Sequence, residues 1–584
     1  MAVVSIPIIA ANVLAALVWW FILLALGARL RRLFRIAVGP TLRWSVDLAL
    51  GAWAAAIALL AVGLTGHLSR AGLAAAIVLL AAAGRWRHDR RPLEPLLAGI
   101  VGGALWLPVA VAPPFFYDAI VYHLGLPWQA LLEGAWSGHP ENLFSAFPPL
   151  AQLLALPPLG FGLIRVPAML HWLAWVTAAT AVYGLARRFG ARRTGAWIAA
   201  ACCVVLPVAP VVPGFPAAEA WLLLGLVPAV AMAAAPCRGG WPAAAGLLAG
   251  VATAARLQGV PWTVLILIVI AIRCRHRIGQ IIAASGCWIA GSLPWWFKNL
   301  VLLGDPIAPV LWHREGMETL WRDSLSQLKR GVSLPECLMS LPRLLAPELV
   351  WLLPLILVAI LAIMGRRRTA ALAGLAVCGA VAWAVTGALP RFLVPTACIL
   401  LALAATADRD RLVRFASICA LLWCSVVGVL RGSNLLARID PISILHVDLR
   451  AAAAQLSPND PMAAFADSLA LHADARVLFV AEPRVFSFPR PFTAPSQHDP
   501  SPLRDLTETE RSPSRIVDRL LADGHTHLLV NWRELQRLGG SYPVAPWRTD
   551  SGRQRWFELL QALGPPVVDR EGVQVFELPH PPDA

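Results

Sequence analysis

Apolar segments of about twenty residues recur through the first three quarters of this sequence, and clusters of arginine fill many of the gaps between them. No other feature constrains the fold as much. A helix that is apolar all round is stable only inside a bilayer or inside a bundle of similar helices. Composition agrees: 58% of the 584 residues are apolar and 14% are charged, whereas soluble domains hold roughly 45–50% and about 25%. The polar remainder is too small to cover a water-facing surface. Candidate spans lie near 5–27, 46–65, 68–84, 94–113, 163–186, 195–213, 217–235, 241–257, 259–272, 279–300, 347–364, 370–388, 393–407 and 412–430. They predict an α-helical polytopic membrane protein with about 11–14 transmembrane helices.

The arginines predict its topology. They cluster at 29–35, 85–91, 187–193, 273–277, 366–368 and 409–411. Alternating the spans from an outside N-terminus puts every cluster in the cytoplasm, as positive-inside bias requires. The same alternation puts 114–162, 301–346 and everything after 431 on the outer face. In the first apolar stretch, Ile6–Leu26, the positive charges (Arg29, Arg31, Arg32, Arg35) follow the apolar run. A signal peptide has the reverse order, so this stretch predicts a retained span in an inner (plasma) membrane, multi-pass protein. The net charge of +15 is thereby a topological signal and gives no reason to expect nucleic acid. Ten cysteines, most of them inside apolar runs and none beyond Cys424, show neither zinc spacing nor a disulfide framework.

Charge also marks a boundary. Residues 1–439 hold 35 Lys/Arg against 15 Asp/Glu, and 440–584 hold 14 against 19, so the net charge steps from +20 to −5. We read 1–435 as the polytopic domain and 436–584 as a small outer-face (periplasmic) α/β domain. Ala475–Glu482 and His527–Trp532 have strand character, Val573–Leu578 is a further candidate, and Ser512–Gly524 has helical spacing. Neither a Gly-rich dinucleotide fingerprint nor a phosphate loop is present there.

The first outer loop, 113–158, is where chemistry is expected. Asp118 lies where a span meets the outer surface, flanked by Phe115, Phe116, Tyr117 and Tyr122, with His123 close behind. Residues 119–133 are long enough for an interfacial helix, and Trp128 suits a headgroup position. A carboxylate at such a surface can accept the proton of a hydroxyl attacking an anomeric carbon. The plainer alternative is a helix N-cap.

The loop YDAIVYHLGLPWQALLEGAW and the following IRVPAMLHWLAWVTAATAVYGLARRFGARRTGAWIAAACCVVLP resemble the GT-C superfamily of polytopic glycosyltransferases. That superfamily includes protein O-mannosyltransferases and lipid A aminoarabinose transferases. SLPWWFKNLVLLGDPIAPVL (292–311) and LPRFLVPTACILLALAA (389–405) resemble two further elements in the expected order. The resemblance implies inverting transfer of a sugar from a polyprenyl-phosphate donor, at the non-cytoplasmic face, to a glycan, lipid or protein acceptor. It implies Asp118 as catalytic base and Glu219 as a second outer-face acid. Ala119 stands where protein O-mannosyltransferases carry Glu, which weakens the case for a protein acceptor.

Lys298 and Arg391 are the cations placed for a lipid phosphate, Arg165 and Arg256 are weaker candidates, Tyr122 joins the substrate-binding set, and His123 and His139 are candidate hydrogen-bonding partners. If a divalent metal ion takes part, Asp118 and Glu219 are the acids to hold it. A transporter or lipid flippase, or a non-catalytic envelope-assembly scaffold, are the alternative functions. Transporters tend to show internal repeats and mid-span charges. This sequence shows no repeat, and its acids collect at one face.

Overall fold

The computed structural model of the chain describes residues 5–84, 91–207, 212–234, 240–309, 350–365, 369–385, 389–407, 411–437, 474–570 and 572–579. The expected arginine turn at 366–368 and most of the loop at 301–346 lie outside the described residues, as do most of the turns at 85–91 and 409–411.

Every predicted span contains helix. In order these are α1 (Ser5–Leu33), α2 (Arg43–Leu64), α3 (Arg70–Ala83), α4 (Glu94–Gly103), which runs through one 3-10 turn into α5 (Leu107–Val111), then α6 (Gly125–Glu133) and α7 (Leu150–Gly160) in the first loop. There follow α8 (Val166–Arg188), α9 (Arg193–Val204), α10 (Glu219–Ala233), α11 (Trp241–Ala255), α12 (Gly259–Arg273), α13 (Ile278–Gly291), α14 (Leu293–Leu303), α15 (Leu353–Gly365), α16 (Ala370–Val385), α17 (Val394–Ala405) and α18 (Arg411–Leu436). Among the described residues, five helical stretches are long and apolar enough to cross a membrane: Pro7–Leu33, Pro40–Leu64, Glu94–Val111, Val166–Arg188 and Arg411–Asn434. The others are apolar but shorter. Large side chains such as Val78, Leu79, Ile272, Ile282, Val377 and Phe415 face outward, as a lipid-facing surface requires.

Helix pairs close where small residues permit. A Cβ on Gly246 would lie 2.0 Å from the Ala284 carbonyl oxygen, and one on Gly250 would lie 2.3 Å from that of Trp288. This small-residue stripe seats α11 on α13 backbone to backbone, the usual way membrane helices gain contact without a hydrophobic driving force. α11 ends at Ala255, and Arg256 follows it on extended backbone.

Two sequence expectations change. The single span expected at 279–300 is two helices, because Pro294 supplies no backbone N–H and Ser292 turns back on the Trp288 and Ile289 carbonyls, at 3.0 and 3.1 Å. The interfacial helix expected over 119–133 is also divided: one π-helical turn covers Ala119–His123, and α6 begins only at Gly125.

The C-terminal part is α/β. Its sheet has the order β2-β1-β3-β5-β4, from β1 (Val477–Val480), β2 (Phe492–Thr493), β3 (His527–Asn531), β4 (Val568–Arg570) and β5 (Val573–Glu577). β1 runs parallel to β2 and β3, while β5 is antiparallel to β3 and β4. Alternation along the strands gives the sheet two apolar faces. One packs on α20 (Pro513–Ala522) and α22 (Asp550–Leu563) through Ile516, Leu520 and Trp556. The other holds Phe479, Phe488 and Val575, with Trp128 and Leu132 of α6 against it. Trp128, expected at a headgroup position, is used by the C-terminal part instead. Its indole N–H donates to the Phe488 carbonyl at 2.7 Å, and α6 of the first loop covers this face of the sheet.

Candidate active site

The segment after α5 meets the N-terminal ends of α8, α10 and α17 and the C-terminal end of α11, at the end of the bundle that carries the sheet. Asp118 has helical backbone angles, φ −61° and ψ −32°, and its side chain makes no capping hydrogen bond. The N-cap alternative is thus overturned. Instead, Asp118 Oδ2 accepts from the Arg391 guanidinium at 2.6 Å, and the Tyr122 hydroxyl is 3.4 Å from the same oxygen. The π turn widens the backbone where these side chains meet, a distortion common at functional sites.

Arg391 sits in the turn Pro390–Leu393 that leads into α17, and its Nε is also 4.0 Å from Glu219 Oε1. Glu219 opens α10, and its side chain is 2% exposed. Arg256 pairs with the same oxygen. That guanidinium leaves α11 on extended backbone and lies 4.7 Å over the Phe392 ring, while Gln258 donates to the Phe392 carbonyl. Two acids and two arginines thereby form one formally neutral cluster. Its members differ in access. Asp118 and Arg391 are 19% and 24% exposed, so solvent or a ligand reaches them, whereas Glu219 is sealed.

Among known proteins, no family profile and no curated sequence matches this chain. Solved structures do. ArnT from Cupriavidus metallidurans in the apo state superposes with a TM-score of 0.53 at 14% identity, over 83% of this chain and 97% of that one. The same protein bound to undecaprenyl phosphate gives 0.48 at 17% identity, over 78% and 95%. The Archaeoglobus fulgidus oligosaccharyltransferase, in complex with zinc and sulfate, gives 0.41 at 14% identity, over 77% and 70%. The chain has the GT-C fold.

Within this GT-C fold, the remaining predicted residues divide. Tyr122 belongs to the cluster and stacks on Phe144 at 4.3 Å. His123 lies just behind it, buried. Burial, against the opposing pull of Glu219 and Asp118, holds its pKa down to about 3, so the ring is neutral. It lines a cavity of about 10 Å³ with Pro167, Ala217 and Trp221, no larger than one water needs.

Lys298 and Arg165 are not brought to the cluster. Lys298 is 1% exposed, and its ammonium donates to the Ser145 and Phe147 carbonyls. Asn299 beside it bonds the Ala146 and Ala308 carbonyls at 2.9 and 2.8 Å. Because α14 is separated from α13 by the Pro294 break, it turns these polar groups onto the loop before α7. Arg165 donates to the Val111 carbonyl at 2.5 Å and ties the end of α5 to the start of α8.

Arg256 is the member that sequence reasoning undervalued, since it closes a short Gly-rich span with no phosphate-binding pattern around it. Nor does any sequence signal join Tyr117 to the C-terminal part. There, the guanidinium of Arg537, on α21 (Trp532–Leu538), lies 5.8 Å from its ring.

A divalent ion on Asp118 and Glu219 does not fit this arrangement. The Arg391 guanidinium stands between the two carboxylates, and among the described residues no three His, Cys, Asp or Glu are grouped as metal ligands.

Proposed function

We propose that this chain is an inverting glycosyltransferase that moves a sugar from a polyprenyl-phosphate donor to a hydroxyl-bearing envelope acceptor. The observation that supports this best is the partly exposed Asp118–Arg391 pair, a carboxylate and a guanidinium in one contact within a GT-C fold, as a base beside a phosphate-binding cation would require. The acceptor oxygen attacks the anomeric carbon and its proton passes to Asp118. The bond from that carbon to the phosphate oxygen breaks, and the polyprenyl phosphate leaves with the electron pair. Arg391 turns from Asp118 toward the phosphate as negative charge gathers there. Glu219, sealed behind it, acts as a positioning residue that holds Arg256 and Arg391. Tyr122 orients the Asp118 carboxylate. Placement of the cluster at one end of α8, α10 and α11 suits surface chemistry better than passage of a solute through the bundle.

Asp118→Asn tests the assignment, because it keeps shape and hydrogen bonding and removes the proton acceptor. Transfer from a polyprenyl-phosphate sugar in a membrane assay should fall by about 100-fold or more at unchanged folded yield. Full activity in that variant would remove Asp118 as the base.

The same reading puts the chain in the inner membrane, with 114–162 and the 436–584 domain on the non-cytoplasmic side. A cysteine placed at exposed Gln554, compared with the parent, should react with an impermeant maleimide once the outer membrane is opened. Labelling only after lysis of the inner membrane would invert the topology.

A further inference from the structure

The other end of the bundle holds a second basic site. α8 has 23 residues, so it runs about 33 Å from the candidate active site to its last turn, Arg187 and Arg188. There a cavity of about 330 Å³ opens between that turn, the end of α10 and the start of α11. Leu42, Gly184 and Met232 form part of its apolar lining, and Trp241 stands at one side. Gly184 shapes it, since a Cβ there would lie 2.6 Å from Leu42 Cδ2.

The arginines of this cavity have spare charge. Arg187 donates to the Ala191 carbonyl at 2.7 Å, and Arg188 lies 4.5 Å from the Trp241 ring. Among the described residues neither forms an ion pair. Glu94, the acid that acts on Arg187, is taken at 2.6 Å by Arg193 and at 3.3 Å by the Tyr183 hydroxyl. Arg273, at the end of α12, adds a third positive charge that acts on Arg188. Guanidiniums without ion-pair partners among the described residues, an indole and an apolar floor match a phosphodiester attached to a hydrocarbon. The phosphate takes charge-assisted hydrogen bonds while the glycerol and first methylenes lie on the apolar wall.

We propose that this cavity binds the headgroup of an anionic phospholipid, in the membrane leaflet opposite the candidate active site. Arg187 and Arg188 hold the phosphate, and Trp241 and Leu42 cover the glycerol end. The volume is large enough for a headgroup and too small for a whole lipid, so the acyl chains stay in the bilayer.

The full chain in neutral detergent should be titrated with dihexanoyl-phosphatidylglycerol, dihexanoyl-phosphatidylcholine and inorganic phosphate, with binding read by native mass spectrometry. Phosphatidylglycerol should saturate one site, and the zwitterionic lipid and free phosphate should each bind about ten-fold more weakly or worse. Arg187→Gln/Arg188→Gln should lose about ten-fold or more in phosphatidylglycerol affinity, while the double Lys variant stays within about three-fold of the parent. Single Arg188→Gln carries the test if the double variant is not recovered folded. Equal binding of the two lipids, unchanged affinity in the Gln variants, or phosphate binding as tightly as the anionic lipid would each overturn the proposal. Asp118→Asn should bind phosphatidylglycerol as the parent does, so the outcome is independent of the catalytic assignment.

Discussion

Two carboxylate–arginine clusters sit at opposite ends of the bundle, built from the same groups and differing in access. Asp47 is fully buried near the start of α2, with Arg31 at 2.6 Å on one oxygen and Arg91 at 2.7 Å on the other. Both arginine side chains are under 10% exposed, and Arg91 lies 5.0 Å from the Trp44 ring. The chain is closed around them. A Cβ on Gly27 would lie 1.6 Å from the Asp47 carbonyl oxygen, so α1 and α2 touch at their backbones. Asp118 has one arginine at 2.6 Å, a distant hydroxyl and an opening to the surface. The sealed cluster has no position from which a ligand could compete for its arginines. The open one can exchange an internal partner for a substrate phosphate. Access, more than charge, separates a structural knot from a candidate reaction centre.

The largest expected effect falls on the sealed cluster. Asp47→Ala removes the carboxylate that two buried guanidiniums share and should cost about 3–5 kcal/mol of stability, read by thermal or denaturant unfolding of the purified protein. Activity per folded molecule should stay near that of the parent. Asp118→Asn should do the reverse, with transfer falling about 100-fold, equivalent to about 2.7 kcal/mol, and little change in unfolding. If the two variants lost stability alike, the distinction between knot and centre would collapse. Arg391→Lys keeps the charge but not the planar fork, and should lower kcat/KM for the donor about ten-fold with folding intact.

His123 offers an effect confined to acid pH, and its sign follows from its environment. Burial holds its pKa down to about 3, below the ordinary 6.5, so the unfolded chain binds the extra proton first. The stability this neutral ring contributes is present above pH 6.5 and is lost as pH falls toward 3. His123→Gln should therefore flatten the acid side of the stability profile between those limits. An unchanged profile would mean that the ring is not sealed, and that access at this end extends deeper than Asp118.

Much of the fold was legible because apolar length and arginine position act locally. The span pattern located the helices of the bundle, and β1, α20, β3 and β5 fell within or close to their expected ranges. The short strands β2 and β4 and the helix α21 were not anticipated, since two to seven residues carry too little periodicity to stand out, and neither was the 14-residue α22. The candidate site was legible in part. Asp118, Glu219 and Arg391 stood out as charges beside apolar spans, and they meet. Lys298 stood out for the same reason, yet its ammonium is used by the Ser145 and Phe147 carbonyls.

By itself, then, the sequence determined that this chain is a membrane-spanning helical protein with an α/β portion at its C-terminal end. Those properties follow from hydrophobicity and charge summed over short windows. Only the tertiary structure decided which charges are partners, which of them is open, and that α6 of the first loop covers one face of the C-terminal sheet. Asp118 and Arg391, or Trp128 and Phe488, are far apart in sequence, and nothing local encodes their meeting. Packed helix ends bring the first pair within 2.6 Å and the packing of α6 on the sheet brings the second within 2.7 Å, and desolvation at the helix ends decides whether an acid is locked or free to react.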